Sequence, residues 1–135
     1  MLRKAIAAII IFGSSTIYAY SGADLLPLCK QAVKLADTKG QSTFSAADAA
    51  DIGKCIGYVE SFIDFNVIFR SANFSGDVTY CPPAGTTTET DIRLIVKYLE
   101  NNPKELQIPA NIAAMHALRQ AFPCKDVEKK LKPNS

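Results

Sequence analysis

The chain has 135 residues, with 15 basic side chains, 13 acidic side chains and 4 cysteines. This length predicts one domain. The near balance of charge gives no indication of the concentrated basic face that nucleic-acid binding needs, so we expect no nucleic-acid partner. The mixed-charge segment 125–135 is typical of a solvated terminus.

Residues 1–23 have the layout of a secretory signal peptide. The basic residues Arg3 and Lys4 precede the apolar run 5–13, and small residues follow that run. The run is short for a membrane span of about 20 residues. The pattern therefore favours a cleaved leader over a permanent membrane anchor.

Two positions suit cleavage of this leader. Ala19 is one, and Ala23, with Ser21 at the −3 position, is the other. Removing the leader lowers the 15 basic side chains to 13, equal to the 13 acidic ones. The mature domain, taken as 24–135, is therefore close to neutral.

The first predicted helix covers about 24–36. Pro27 falls in its first turn, where a missing N–H does little harm, and Gly40 is the expected C-cap. An apolar stripe at steps of three and four residues supports the assignment. Its members are Leu25, Leu26, Cys29, Ala32, Val33 and Ala36.

The second predicted helix covers about 45–70 and opens with Ser45 and Asp48, spaced as in a capping box. Glycine inside a helix costs about 1 kcal/mol relative to alanine. Gly57 therefore indicates close approach of a neighbouring helix or of a partner protomer. The predicted buried stripe consists of Ile52, Cys55, Ile56, Val59, Phe62, Ile63 and Val67.

The third and fourth predicted helices cover about 86–100 and 108–122. Thr86 and Glu89 have the spacing of a second capping box, and Pro123 ends the last helix. No segment of useful length alternates as a strand does. The inward face of the fourth helix is predicted to carry Ile112, Met115, Leu118 and Phe122.

Four cysteines in a short exported chain indicate two disulfides. Consecutive helices joined by short connections pack antiparallel. Cys29 and Cys55 lie at similar distances from the turn of the first helical hairpin, and Cys81 and Cys124 lie on either side of the second turn. The sequence therefore predicts an all-α bundle of two helical hairpins with the bridges Cys29–Cys55 and Cys81–Cys124.

The order of short motifs resembles the Rap/Tai family of immunity proteins, which protect bacteria against amidase toxins delivered by type VI secretion. The motifs are Cys55-Ile-Gly-Tyr-Val59, Tyr80-Cys-Pro-Pro83, Ile95-Val-Lys-Tyr-Leu-Glu100 and Ala117-Leu-Arg-Gln-Ala-Phe-Pro-Cys124. The resemblance implies a small, disulfide-bonded, helical periplasmic protein. It also implies a homodimer that blocks the active-site cleft of a peptidoglycan amidase.

The segment between the second and third helices has the composition of a protein-binding loop, with aromatic anchors among adaptable polar residues. We expect Asn73, Phe74, Ser75, Asp77 and Tyr80 to contact the partner, together with the exposed face of the second helix. The alternative is a loop that packs under its own aromatic side chains.

Residues that could support catalysis have simpler interpretations. His116 is the single histidine, and an exposed helix position explains it without a catalytic pair or a zinc site. Glu60 and Asp64 share a helix face, which a solvated surface explains as well as acid–base chemistry does. We therefore predict no enzyme activity, no metal and no cofactor.

The function predicted from these features is occlusion of an amidase toxin by a periplasmic immunity protein with no membrane anchor after cleavage. A small helical chaperone of the envelope-stress type is one alternative. A carrier with an apolar cavity between the two hairpins is another.

Overall fold

The computed structural model describes residues 19–74 and 78–124, and in these ranges it is all-helical with no strand. Both predicted disulfides are present. The all-α prediction is therefore confirmed. The elements are α1 (Gly22–Asp37), α2 (Ala46–Ser71), α3 (Thr88–Asn101), a 3₁₀ turn (Pro103–Gln107) that the sequence did not predict, and α4 (Ala110–Ala121).

Capping boxes begin the first two helices. At α1 the Ser21 hydroxyl accepts the Asp24 N–H at 3.2 Å, and the Asp24 carboxylate accepts the Ser21 N–H at 2.9 Å. Ser45 and Asp48 make the same pair of bonds at α2, so the predicted box there is confirmed. Each box satisfies N–H groups that have no partner within the helix.

The predicted box of the third helix is wrong by one residue. Thr87 caps α3 by accepting the Thr90 N–H at 3.2 Å, whereas the Thr86 hydroxyl donates to the Pro83 carbonyl. Glu89 pairs with Arg93 at 2.9 Å and makes no capping bond. The preceding Pro-Pro-Ala-Gly turn holds the Thr86 hydroxyl and so moves the start of the helix.

Two expectations at α1 also need correction. The helix begins at Gly22, so Pro27 lies in its second turn and removes one internal hydrogen bond. The C-cap is Thr38. Lys39 and Gly40 follow with φ of 49° and 75°, so the left-handed turn that ends the helix includes Gly40 but begins before it.

Helix α1 lies at the centre and contacts α2, α3, α4 and the 3₁₀ turn. The buried face of α4 facing this centre is built from small residues. Alanine permits close helix approach, so α4 buries four alanines and Leu118 while Ile112 turns outward. The core consists of Leu25, Cys29, Ala32, Ile52, Cys55, Val59, Tyr80, Ile92, Ile95, Val96, Leu99, Ala110, Ala113, Ala114, Ala117 and Leu118.

Two residues predicted to be buried are exposed. Ile112 on α4 is 45 % exposed and Val67 on α2 is 58 % exposed. Helix α2 has 26 residues against 16 in α1, which corresponds to about 39 Å against about 24 Å. The end of α2 therefore extends past the helix that covers its first half.

The two disulfides have the predicted pairing. Cys29–Cys55 joins α1 to α2 with a Cα–Cα distance of 5.1 Å. Cys81–Cys124 joins the segment before α3 to the segment after α4 with a Cα–Cα distance of 5.0 Å. The Cys81 N–H also donates to the Phe122 carbonyl at 2.8 Å. The second bridge thus closes the open end of the α3–α4 hairpin.

Asn66 replaces Val67 as the buried residue near the end of α2. It is 3 % exposed. Its amide nitrogen donates to the Tyr80 carbonyl, and its amide oxygen accepts the Tyr80 N–H, both at 3.0 Å. This side chain therefore satisfies both backbone groups of a buried residue, as a neighbouring strand would.

We expect Asn66→Ala to lower the free energy of unfolding by about 2–4 kcal/mol, because two buried backbone groups lose their partners. Urea denaturation measures this loss. Asn111→Ala is the matched control, since Asn111 is exposed, and it should change stability by less than about 0.5 kcal/mol. Equal stability of the two variants would contradict the role given to Asn66.

Asp91 is a buried acid on α3. It is 2 % exposed, and its Oδ1 has no hydrogen-bond partner among the described protein atoms. Burial raises the pKa of Asp91 from 3.8 to about 6. The pKa of Tyr80 is also raised, first by burial and then by the charge of Asp91.

The folded chain therefore holds the Asp91 proton between about pH 4 and pH 6, where the unfolded chain releases it. Stability from this group falls as pH rises through that window. Asp91→Asn should raise the free energy of unfolding by about 1–3 kcal/mol at pH 7 and change it little at pH 4. Urea titrations at both pH values measure the difference.

Asp48→Asn is the control, and it should change the stability at pH 7 in the opposite direction. Hydrogen bonds from the Ser45 side chain and backbone lower the pKa of Asp48. Its ionised form therefore stabilises the fold at pH 7, and the variant should be less stable there. An Asp91→Asn protein that also loses stability at pH 7 would refute the buried-charge argument.

Candidate protein-binding site

An open groove separates the end of α2 from α4. Tyr58, Phe62, Phe65 and Phe69 form its α2 wall, Ile112 and Met115 form its α4 wall, and Val78 lies at its edge. We call these seven residues the aromatic groove. Its volume is about 410 Å³.

The spacing of the aromatic residues explains the α2 wall. Steps of four, three and four residues place Tyr58, Phe62, Phe65 and Phe69 on one face of a helix. Asn66 lies next to them and lines the groove. Its bonds to the Tyr80 backbone tie the segment after the loop to this same part of α2. The groove is therefore positioned by the fold and not by the loop alone.

Aromatic contacts extend from the groove to the loop. The rings of Phe65 and Phe69 lie 6.1 Å apart, and Phe69 meets Phe74 edge-on at 5.7 Å. Phe65 and Phe74 are each 58 % exposed. Exposed aromatic side chains of this kind are enriched at protein–protein interfaces. The three rings form a continuous apolar surface available to a partner.

The electrostatics of the groove suit an apolar partner. None of the described residues lining it is charged. Burial raises the pKa of Tyr58, so its phenol stays neutral at physiological pH. Polar groups are provided by Ser61, Asn66 and Asn111, and the Ser61 hydroxyl donates to the Tyr58 carbonyl at 2.7 Å. The groove can bind side chains but holds no acid, base or thiol for chemistry.

The structure separates the loop residues predicted to touch a partner. Asn73 and Phe74 are exposed at the end of α2. Tyr80 is fully buried, which places its ring in the core and removes it from the surface. Ser75 and Asp77 lie outside the described residues. Of the predicted contact residues, Phe74 is the one whose ring adjoins the groove.

Sequence reasoning missed the groove itself. The signal was present, because Phe65 and Ile68 fall outside the predicted buried stripe of the second helix and make its last turns apolar on more than one face. A helix that is apolar on several faces requires several partners. Which face is turned towards α4 across the groove depends on tertiary packing.

The residues weighed for catalysis lie apart from the groove lining. His116 is exposed, with its Nδ1 2.8 Å from the Glu105 carboxylate. Glu60 and Asp64 are exposed on α2. Across residues 19–74 and 78–124, no group of three or more His, Cys, Asp or Glu side chains could hold a metal ion. All the cysteines are in disulfides.

Gly57 has no close neighbour among residues 19–74 and 78–124. A Cβ atom built there, or at Gly53 one turn earlier, meets no atom within 4 Å. The expectation that a neighbouring helix approaches Gly57 is therefore wrong. The other explanation, approach of a partner protomer, stays a prediction.

No helix in the described part of the chain is long and apolar enough to cross a membrane.

Comparison with known proteins identifies the family. No curated protein and no solved structure matches the chain. The family model described as Rap1a immunity proteins matches residues 21–124, which include the groove and both disulfides. The chain therefore belongs to the Rap1a family of immunity proteins, which counter a cognate type VI effector toxin.

Proposed function

We propose that this protein is a periplasmic immunity protein that binds a peptidoglycan amidase toxin and covers its active-site cleft. Family membership supports the immunity role. The two disulfides support an oxidising compartment, and the signal-like residues 1–23 provide the route to it. The amidase as target comes from the resemblance of the sequence motifs to the Rap/Tai family.

The aromatic groove and Phe74 carry the proposal that the protein acts by binding. Phe65 and Phe74 are large apolar side chains that the fold leaves mostly in water. Binding energy at interfaces concentrates in a few such anchors. Covering these rings with a toxin surface would remove them from water, which is favourable by about 25 cal/mol per Å² of apolar area.

Occlusion needs no chemistry from the immunity protein. A cysteine nucleophile requires a free thiolate, and the four cysteines here are bridged. The exposed rings at the edge of the groove are the features that could enter a substrate cleft. Inhibition would then follow from exclusion of peptidoglycan by the bound protein.

We expect Phe65→Ala to weaken binding to the amidase captured on co-expression by about 30-fold or more, which corresponds to about 2 kcal/mol. Val67→Ala is the matched control. Val67 is on the same helix and is also 58 % exposed, but it does not line the groove. Isothermal titration calorimetry measures both affinities.

The result has three readings. Loss of affinity in Phe65→Ala alone supports the groove as the toxin contact. Unchanged affinity in a folded Phe65→Ala protein argues against it. Conversion of a dimer to a monomer by Phe65→Ala, with toxin affinity retained, would assign the groove to the protomer interface and contradict the proposal.

The dimer implied by the family resemblance has a candidate contact at Gly53 and Gly57, whose Cα atoms are open to a neighbour. Gly57→Leu should weaken the dimer by filling this space, as measured by light scattering over a dilution series. Gly57→Ala is the control. It should stabilise α2 by about 1 kcal/mol and leave the dimer intact. A dimer unaffected by leucine would place the interface elsewhere.

A further inference from the structure

The structure distinguishes the two cleavage positions that the sequence leaves open. We infer that the leader is removed after Ala19, so that the mature protein begins at Tyr20. This inference rests on the proposed export of the chain. The assignment depends on the contacts of residues 20–23, which a cut after Ala23 would remove.

The spacing of small residues alone favours a cut after Ala23. Cleavage sites prefer small residues in an A-x-A-like pattern. A cut after Ala23 has Ser21 at −3, whereas a cut after Ala19 has the larger Ile17 there. Support for Ala19 therefore comes from the contacts that residues 20–23 make in the folded domain.

Tyr20, the second residue that the structure describes, is tied to the rest of the fold. Its carbonyl accepts the Ala110 N–H at 2.7 Å, at the start of α4, and Ala110 is fully buried. Its ring lies 6.3 Å from the ring of Tyr58 on α2. A cut after Ala23 would remove both contacts and leave a buried donor without its partner.

Gly22 packs against the 3₁₀ turn more closely than any larger residue could. Its N–H donates to the Ile108 carbonyl at 3.0 Å, and it is buried. A Cβ atom built on it would lie 2.4 Å from the Glu105 carbonyl oxygen. Backbone contact this close is typical of an integral part of a domain and not of a leader.

Ser21 supplies the N-cap of α1. It exchanges two bonds with Asp24, and it pairs with Pro109 in an isolated bridge. With Asp24 as the new N-terminus, this helix would lose its capping box and its first two residues. The region shared with the Rap1a family also begins at residue 21, inside the segment in question.

A cut after Ala19 spares all of these contacts. Ala19 and Tyr20 are both exposed, so the bond between them lies at the edge of the fold. Of the two possible cuts, this one leaves α1, its cap and the start of α4 complete.

The test is to express the full chain in a bacterium, extract the periplasm, and determine the N-terminus by intact mass and N-terminal sequencing. We expect Tyr-Ser-Gly-Ala-Asp. A mature chain beginning at Asp24 overturns the inference and leaves export intact. A chain that keeps Met1 and stays in the cytoplasm overturns the inference together with the proposed location.

Two variants make the assignment independent of folding. Leucine at the last residue before the cut violates the small-residue requirement. Ala19→Leu should therefore abolish the Tyr20 N-terminus, giving precursor or a displaced cut. Ala23→Leu places leucine at an exposed position and should keep the Tyr20 N-terminus. The reverse pattern would assign the cut to Ala23.

Discussion

The closed end of the α3–α4 hairpin is the constraint on which the candidate site depends. The Cys81–Cys124 bridge links positions 43 residues apart, which removes unfolded-state entropy equivalent to about 4 kcal/mol. Next to it, Tyr80 is held by both amide atoms of Asn66. These two attachments hold the segment that follows the loop against α2. Val78, at the edge of the groove, precedes this fixed point by two residues.

The packing that buries the alanine face of α4 leaves a groove between α4 and the end of α2. Alanines let α4 approach the core closely, and this orientation turns Ile112 outward. The long helix α2 continues past α1 and presents its aromatic residues opposite α4. The groove follows from these two features together. In the proposed role, the open apolar wall would provide contact area for the toxin without weakening the core.

Helix α2 contributes both to the core and to the groove. Its first half carries Cys55 and its middle carries Val59, and both are fully buried in the core. Its last turns carry the exposed rings and the buried Asn66. An interface built on a helix anchored in this way keeps its shape in the free protein, which lowers the ordering cost of binding. The loop residue Phe74 adds to this surface through its edge contact with Phe69.

Much of the fold could be predicted from the sequence, because its determinants are local or follow from simple antiparallel geometry. The periodic stripes, the Ser45–Asp48 box and the helix-stopping prolines act within a few residues, and the two turns bring the cysteines together in pairs. The site required the tertiary structure. The burial of Tyr80, the exposure of Ile112 and the attachment of Tyr20 to Ala110 depend on how distant segments pack. Sequence spacing gives the faces of each helix, but close packing against particular neighbours decides which of those faces water still reaches.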